Sequence, residues 1–176
     1  MLNLTKFIEF NNKKVIFMIE RTFIALKPDT VQRGLIGEII SRFEKTGLKV
    51  VGMKMVWVTK ELSKKHYKAH VEKPFYPGLE AMITEGPVIA MVLEGVHSIE
   101  LVRKLVGSTE PKSAAPGTIR GDYSHISYSQ ADSKGIAMKN IVHASGNNEE
   151  AEYEINLWFS AEELHTYETV NEKHVF

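Results

Sequence analysis

A chain of 176 residues is of single-domain size and long enough to bury one substantial core. Its 22 basic residues cancel its 22 acidic ones, which excludes a global field favouring nucleic acid or anionic lipid, so any anion site must be local. With no cysteine, the chain excludes disulfides, thiolate metal sites and a cysteine nucleophile, and it fits a reducing compartment.

In residues 1–17, Lys6, Asn11, Asn12, Lys13 and Lys14 interrupt the apolar positions, so no signal-peptide core forms. These residues are expected to be an extension, disordered or read from an upstream start, ahead of one domain over residues 18–176. No later stretch approaches the roughly 20 apolar residues of a membrane span. The chain reads as soluble and cytoplasmic, with no membrane partner.

Residues 21–26 are apolar and β-forming and stop at Lys27-Pro28, as a buried first strand does. Leu35, Ile36, Ile39, Ile40 and Phe43 repeat at helical spacing, and Gly47 follows where a left-handed cap is expected. Residues 48–58 turn β again, with Met53, Met55 and Trp57 alternating on one face. Thr59 is placed to cap a helix carrying His66 and Tyr67. His66 and His70 share helical spacing, but no third ligand is obvious and they read as two exposed histidines. No structural metal is predicted.

Gly86-Pro87 punctuates the chain before residues 88–93, a continuous apolar run suited to a central strand. Ser98 opens a helix whose inward stripe is Ile99, Val102, Leu105 and Val106 and whose end is Gly107. Residues 108–117 hold two prolines and no apolar periodicity, a connection of the kind that often carries function. Residues 124–135 are polar and poorly periodic, and read as a surface insertion. Residues 141–144 form the last strand. Asn147 with Glu150, and Ser160 with Glu163, fit the reciprocal caps of helix starts. With the helix between the second and third strands set aside, the order is βαββαβ, an α+β ferredoxin-like arrangement with extra helices.

The chemistry concentrates near the C-terminal end. Asn140-Ile141-Val142-His143-Ala144-Ser145 sets an imidazole in a short apolar run, and Glu154 follows in Glu152-Tyr153-Glu154-Ile155-Asn156-Leu157-Trp158-Phe159. A histidine on an apolar strand is by default a core group bonded to a carbonyl. Held by a carboxylate through one nitrogen, the same ring is a nucleophile through the other. Ser145 shares a strand face with His143, whereas Asn140 has the opposite parity. Gly34 and Gly37 lack the Gly-Lys-Ser/Thr continuation of a phosphate loop, so nucleotide phosphates cannot be held that way.

These blocks, with Lys27-Pro28-Asp29 and Pro116-Gly117-Thr118-Ile119-Arg120-Gly121-Asp122, resemble nucleoside diphosphate kinases in collinear order over residues 20–167. The resemblance implies a four-stranded antiparallel sheet covered by helices. It further implies ping-pong transfer of the terminal phosphate of a nucleoside triphosphate to a nucleoside diphosphate, through a phosphohistidine on His143 that Glu154 and Ser145 support. Lys27 and Tyr67 are then expected at the terminal phosphate, and Arg103, Thr109 and Arg120 on the phosphate chain. Asn140 is expected at the sugar, and Phe75 stacks on the base with little base selectivity. Mg²⁺ arrives on the nucleotide phosphates without a direct protein ligand. The resemblance also implies a homo-hexamer or tetramer. Gly146 stands where the family commonly has aspartate, and the 124–135 insertion is of a kind some archaeal members carry.

Two rivals remain at this point. An RNA-binding ferredoxin-like module would show paired aromatics among basic residues on its central strands, and residues 21–23 and 88–91 show none; no specific nucleic-acid partner is predicted. A scaffold that has lost activity would not keep Lys27, Arg103, Arg120, Asn140 and His143 together.

Overall fold

The computed structural model describes the backbone of residues 4–10 and 13–175 and the side chains of residues 19–174. Strands β1 (Leu4–Phe10) and β2 (Lys13–Leu26) open the chain as an antiparallel pair. The strand expected at residues 21–26 is therefore the second half of a longer one. Of the expected extension over 1–17, residues 1–3, 11 and 12 lie outside the described residues, and the remainder enters β1 and β2.

Helix α1 (Pro28–Gln32) begins where proline ends the strand, since the amide hydrogen that proline lacks has no partner in a first helical turn. Gly34, at φ +68, turns the chain into α2 (Ile36–Glu44). Next come β3 (Lys49–Trp57), α3 (Lys60–His66), α4 (Tyr76–Thr84) and β4 (Pro87–Val96). They are followed by α5 (Ser98–Val106), α6 (Ile119–Tyr123), α7 (Tyr128–Ser133), β5 (Val142–Ala144), α8 (Asn148–Trp158) and α9 (Glu172–Val175). The Thr59 hydroxyl caps α3, accepting from the Leu62 amide at 3.1 Å. Two helices, not one, separate β3 from β4. Pro74, Pro77 and Gly78 resemble loop punctuation, yet Pro77 sits in the first turn of α4, where it is tolerated.

Every pairing in the sheet is antiparallel, and β4 lies between β2 and β3. Ile24 pairs with Met91 of β4 and with Ala144 of β5, so β5 occupies the far edge of β2. Ile19 pairs with Val96 and with Leu4 in the same way, so β1 and β5 lie end to end along that edge. The four strands β3-β4-β2-β5 with α2 and α5 make the expected α+β, ferredoxin-like βαββαβ fold.

Alternation explains why the central strands read as unbroken apolar runs. Ile24, Leu26, Met91 and Leu93 face Ile39, Phe43, Val102 and Val106 of α2 and α5. Phe23, Ala25, Ala90 and Val92 face the opposite way, onto Tyr76, Ile83, Ile155 and Trp158. Helices cover both faces of β4 and of the second half of β2, so neither has a wet side there. The register then places His143 beside Ala25, two positions before Lys27.

Candidate active site

The site is built where the end of β2 meets the start of β5. Ile141 has φ +75, a left-handed backbone that a β-branched residue rarely adopts. Its surroundings hold it there. The Ile141 amide donates to Asp29 Oδ2 at 3.0 Å, and its carbonyl accepts from the Lys27 amide at 2.8 Å and from the Thr30 hydroxyl at 2.5 Å. Its side chain is fully buried. Because β5 starts only at Val142, strand alternation does not govern Asn140. The Asn140 carboxamide accepts from Lys27 Nζ at 2.6 Å and donates to the Thr109 carbonyl at 2.8 Å.

His143 projects from β5 with its side chain 22% exposed. Its Nε2 lies 2.7 Å from Glu154 Oε1 on α8. A carboxylate only accepts, so Nε2 carries the proton and Nδ1 keeps its lone pair. The other oxygen, Glu154 Oε2, accepts from the Ser145 hydroxyl at 2.6 Å, and that hydroxyl accepts from the Phe23 amide at 3.2 Å. Both oxygens of the buried carboxylate are thus engaged, as burial of the group requires. One residue past the end of β5, Ser145 meets the same acid as His143.

The reading of His66 as an exposed helical histidine is corrected: its side chain is only 2% exposed and packs against His143. Helix α3 ends at His66, so the helical spacing that grouped it with His70 does not continue. His70 is exposed. Three lysines within two residues of His66 concealed its burial, and no sequence signal short of the whole fold points to it.

A cavity of about 660 Å³ is lined by Lys27, Tyr67, Phe75, Thr109 and Asn140, while His143 is outside that lining. Phe75 is 56% exposed, an open aromatic face rather than a core ring. The Tyr67 hydroxyl is buried without a hydrogen-bond partner, and burial, then the Glu154 charge, pushes its pKa up, so it remains a neutral donor. The polar 124–135 stretch is part of this wall, contributing Tyr128, Ala131 and Asp132. Its amphiphilic turn is α7, too short to leave a periodic signal.

Burial, then the Arg120 guanidinium, pulls the Lys27 ammonium down to about 8, against a partial lift from Asp29. Burial and Arg103 lower Arg120 to about 10, where it stays cationic at neutral pH. Arg120 donates to the carbonyls of Asn140 (3.2 Å), Gly107 (2.9 Å) and Val142 (2.6 Å). Three of its five N–H groups are so used, leaving two for an anion. Two cations with little water around them, held apart only by protein, form an anion trap.

Arg103 is exposed on α5 and lines a neighbouring depression of about 400 Å³ with Gly146 and Asn147. It joins the cavity group only through the field it exerts on Arg120. At Gly146 a Cβ would meet Glu150 Oε2 at 2.8 Å, and the Gly146 amide donates to that oxygen at 2.8 Å. An aspartate here would set a second carboxylate beside that of Glu150.

His66, His143 and Glu154 offer ligand atoms within 4.8 Å of one another. Two nitrogens and one carboxylate suit a transition metal, not Mg²⁺, which prefers oxygen. Among the described residues no helix is long and apolar enough to cross a membrane.

A family model described as nucleoside diphosphate kinase matches residues 20–164. A nucleoside diphosphate kinase of Pyrococcus furiosus is 54% identical over 149 residues, 85% of this chain and 88% of that one. One from Archaeoglobus fulgidus is 48% identical over 159 residues, 90% of this chain and 98% of its own. Among solved structures, the Borrelia burgdorferi nucleoside-diphosphate kinase with bound vanadate and ADP, a transition-state mimic, superposes with a TM-score of 0.86. It is 44% identical and covers 89% of this chain and 96% of that one. The Halobacterium salinarum enzyme in complex with CDP has a TM-score of 0.80 at 44% identity, covering 89% of this chain and 98% of its own.

Proposed function

This chain belongs to the nucleoside diphosphate kinase family and so transfers the terminal phosphate of a nucleoside triphosphate to a nucleoside diphosphate, and from that premise we propose that His143 carries the phosphate. The observation that supports this is the Glu154 contact, which fixes the His143 proton on Nε2 and leaves Nδ1 open. In the first half-reaction Nδ1 attacks the terminal phosphorus in line. The bond from that phosphorus to the bridging oxygen breaks, and the nucleoside diphosphate leaves with the bond's electrons. The ring is then cationic and phosphorylated, and the Glu154 carboxylate offsets its charge. A second diphosphate reverses the step. Incubation with γ-labelled ATP, without acceptor, should leave acid-labile phosphate on His143; label on another residue would refute the proposal.

Positioning and charge neutralisation supply the rest. Lys27, Arg103, Thr109 and Arg120 hold the phosphate chain, and the unpartnered Tyr67 hydroxyl meets the terminal phosphate. Charge-assisted bonds of this type contribute about 1.5–3 kcal/mol each. Asn140 is the sugar contact, and Phe75 stacks on the base. A stacking surface accepts purines and pyrimidines alike, so base selectivity is low. Mg²⁺ enters with the substrate: apart from Asp132, the lining is neutral or cationic and offers no carboxylate cage, which fits an ion carried by phosphate oxygens. A cytoplasmic location, where nucleotides are plentiful, belongs to the same reading.

Lys27 gives this reading a pH signature. Its folded-state pKa, about 8, lies below the usual lysine value, so the free enzyme loses this cation as pH rises through 8. A bound polyphosphate raises the value again. Accordingly, kcat/KM for the donor ATP should fall from about pH 8 upward while kcat stays level, because the former follows the free enzyme. A Lys27→Gln variant should lack that alkaline limb, and a wild-type kcat/KM flat to pH 10 would contradict the assignment.

The protein is also proposed to be a homo-oligomer, a hexamer built from dimers or a tetramer. Met53, Met55 and Trp57, each more than half exposed, form an apolar stripe on the edge strand β3. A second copy covers it. Light scattering should give a multiple of the chain mass, and Trp57→Glu should reduce that multiple; an unchanged assembly would remove β3 from the interface.

A further inference from the structure

Two imidazoles compete for one carboxylate oxygen in this site. Glu154 Oε1 lies 2.7 Å from His143 Nε2 and 3.6 Å from His66 Nδ1. What keeps the second from bonding is the indole of Trp158, whose Nε1 donates to His66 Nδ1 at 3.2 Å. An indole N–H only donates, so His66 Nδ1 must hold a lone pair and the ring proton sits on Nε2. A lone pair on Nδ1 cannot bond to a carboxylate. The His66 ring meanwhile stands almost perpendicular to that of His143, with centroids 4.6 Å apart and planes at 80°. Phe23 packs on both histidines and on Trp158, at 5.8, 6.0 and 5.1 Å.

We propose that His66 is a positioning residue for phosphoryl transfer, its ring walling the nucleophile into one orientation while Trp158 holds it in the tautomer that leaves Glu154 Oε1 to His143. The inference rests on His143 being the phosphorylated residue. Were His66 to take a proton on Nδ1, it would bond to Glu154, and His143 would lose the acceptor that fixes its own proton on Nε2. Burial opposes that protonation first, and the His143, Lys27 and His70 charges oppose it further, so the His66 pKa lies well below the usual imidazole range. The groups whose charge bears on His66 are therefore Glu154 from α8, His143 from β5, Lys27 at the end of β2 and His70 beyond α3. Only Glu154 favours the proton, and the indole occupies the nitrogen nearest to it.

The experiment is single-turnover formation of the phosphoenzyme from Mg·ATP between pH 6 and pH 8. His66→Ala removes the wall and should slow the step by about a hundredfold, the cost of a misplaced reactive group, with the nucleotide KM within about twofold of wild type. His66→Phe keeps a neutral aromatic wall and should recover most of the loss. Trp158→Phe frees His66 Nδ1 to carry the ring proton and bond to Glu154, a change of tautomer that takes up no proton, so its rate should fall about tenfold or more, alike from pH 6 to pH 8. In the double variant Trp158→Phe/His66→Phe most of that loss should vanish. A wild-type rate for His66→Ala, or a loss appearing only as raised KM, overturns the proposal. So does a Trp158→Phe loss that the second substitution does not relieve. Should His66→Ala fail to fold, the two phenylalanine variants carry the same decision. Peptide mapping of the label separates the two readings. Without phosphate on wild-type His143 the nucleophile itself is wrong; with it, a wild-type rate in His66→Ala sinks only the role of His66.

Discussion

His143→Ala is expected to lower transfer by about 10⁵-fold or more and to leave no acid-labile phosphate on the protein. The size follows from what is lost. No second nucleophile shares the geometry: His66 is buried with its Nδ1 bonded to the Trp158 indole, and Ser145 has its hydroxyl committed to Glu154. The chain has no cysteine to substitute. Substrate still binds, since the cations and Phe75 remain, so the KM for nucleotide should change little. Removal of the imidazole strips Glu154 Oε1 of its partner, and a buried acceptor left so costs about 1–3 kcal/mol. A modest fall in thermal stability should accompany the loss, and a melting curve separates it from unfolding. Residual label above one part in a thousand would exclude His143 as the carrier.

Glu154→Gln is expected to reduce kcat by about 10²–10⁴-fold while leaving nucleotide KM near wild type. The carboxamide has almost the same shape, and its oxygen can still accept from His143 Nε2. Its amide can donate to the Ser145 hydroxyl, which reverses its role. What disappears is the negative charge facing a ring that becomes cationic as the phosphorus–nitrogen bond forms. Lys27, Thr109 and Asn140, proposed to meet the nucleotide, line a cavity whose wall does not include Glu154, so binding should be spared. Steady-state kinetics with ADP varied at saturating ATP would detect the split. Loss confined to KM, or a kcat within threefold of wild type, would mean the charge is not used.

Much of this site was legible because its chemistry is local. His143, Ser145 and Glu154 fall within a dozen residues; parity sets Ser145 beside His143, while the place of Glu154 comes from the family resemblance and not from its spacing. The continuous apolar run at residues 88–93 foretold a central strand, since both of its faces are covered. Other parts resist a linear reading. Asn140 looks misplaced until Ile141 adopts a left-handed backbone, which a β-branched residue does not advertise. His66 looks exposed until α3 ends beneath it. Prolines concealed α4, because a proline is equally at home in a turn and in a first helical turn. The wall that α7 contributes to the cavity hides in a polar segment, whose inward residues matter only once the cavity exists.

The knot of hydrogen bonds around Ile141 joins residues separated by 111 and 112 positions, and the Lys27–Asn140 bond spans 113. Arg120, too, hangs on carbonyls of Asn140 and Val142. Lys27, Thr30 and Arg120 thus lean on the turn before β5 and on β5 itself, so a polypeptide cut short before that strand should neither grip a nucleotide nor accept its phosphate, whatever sheet it retains.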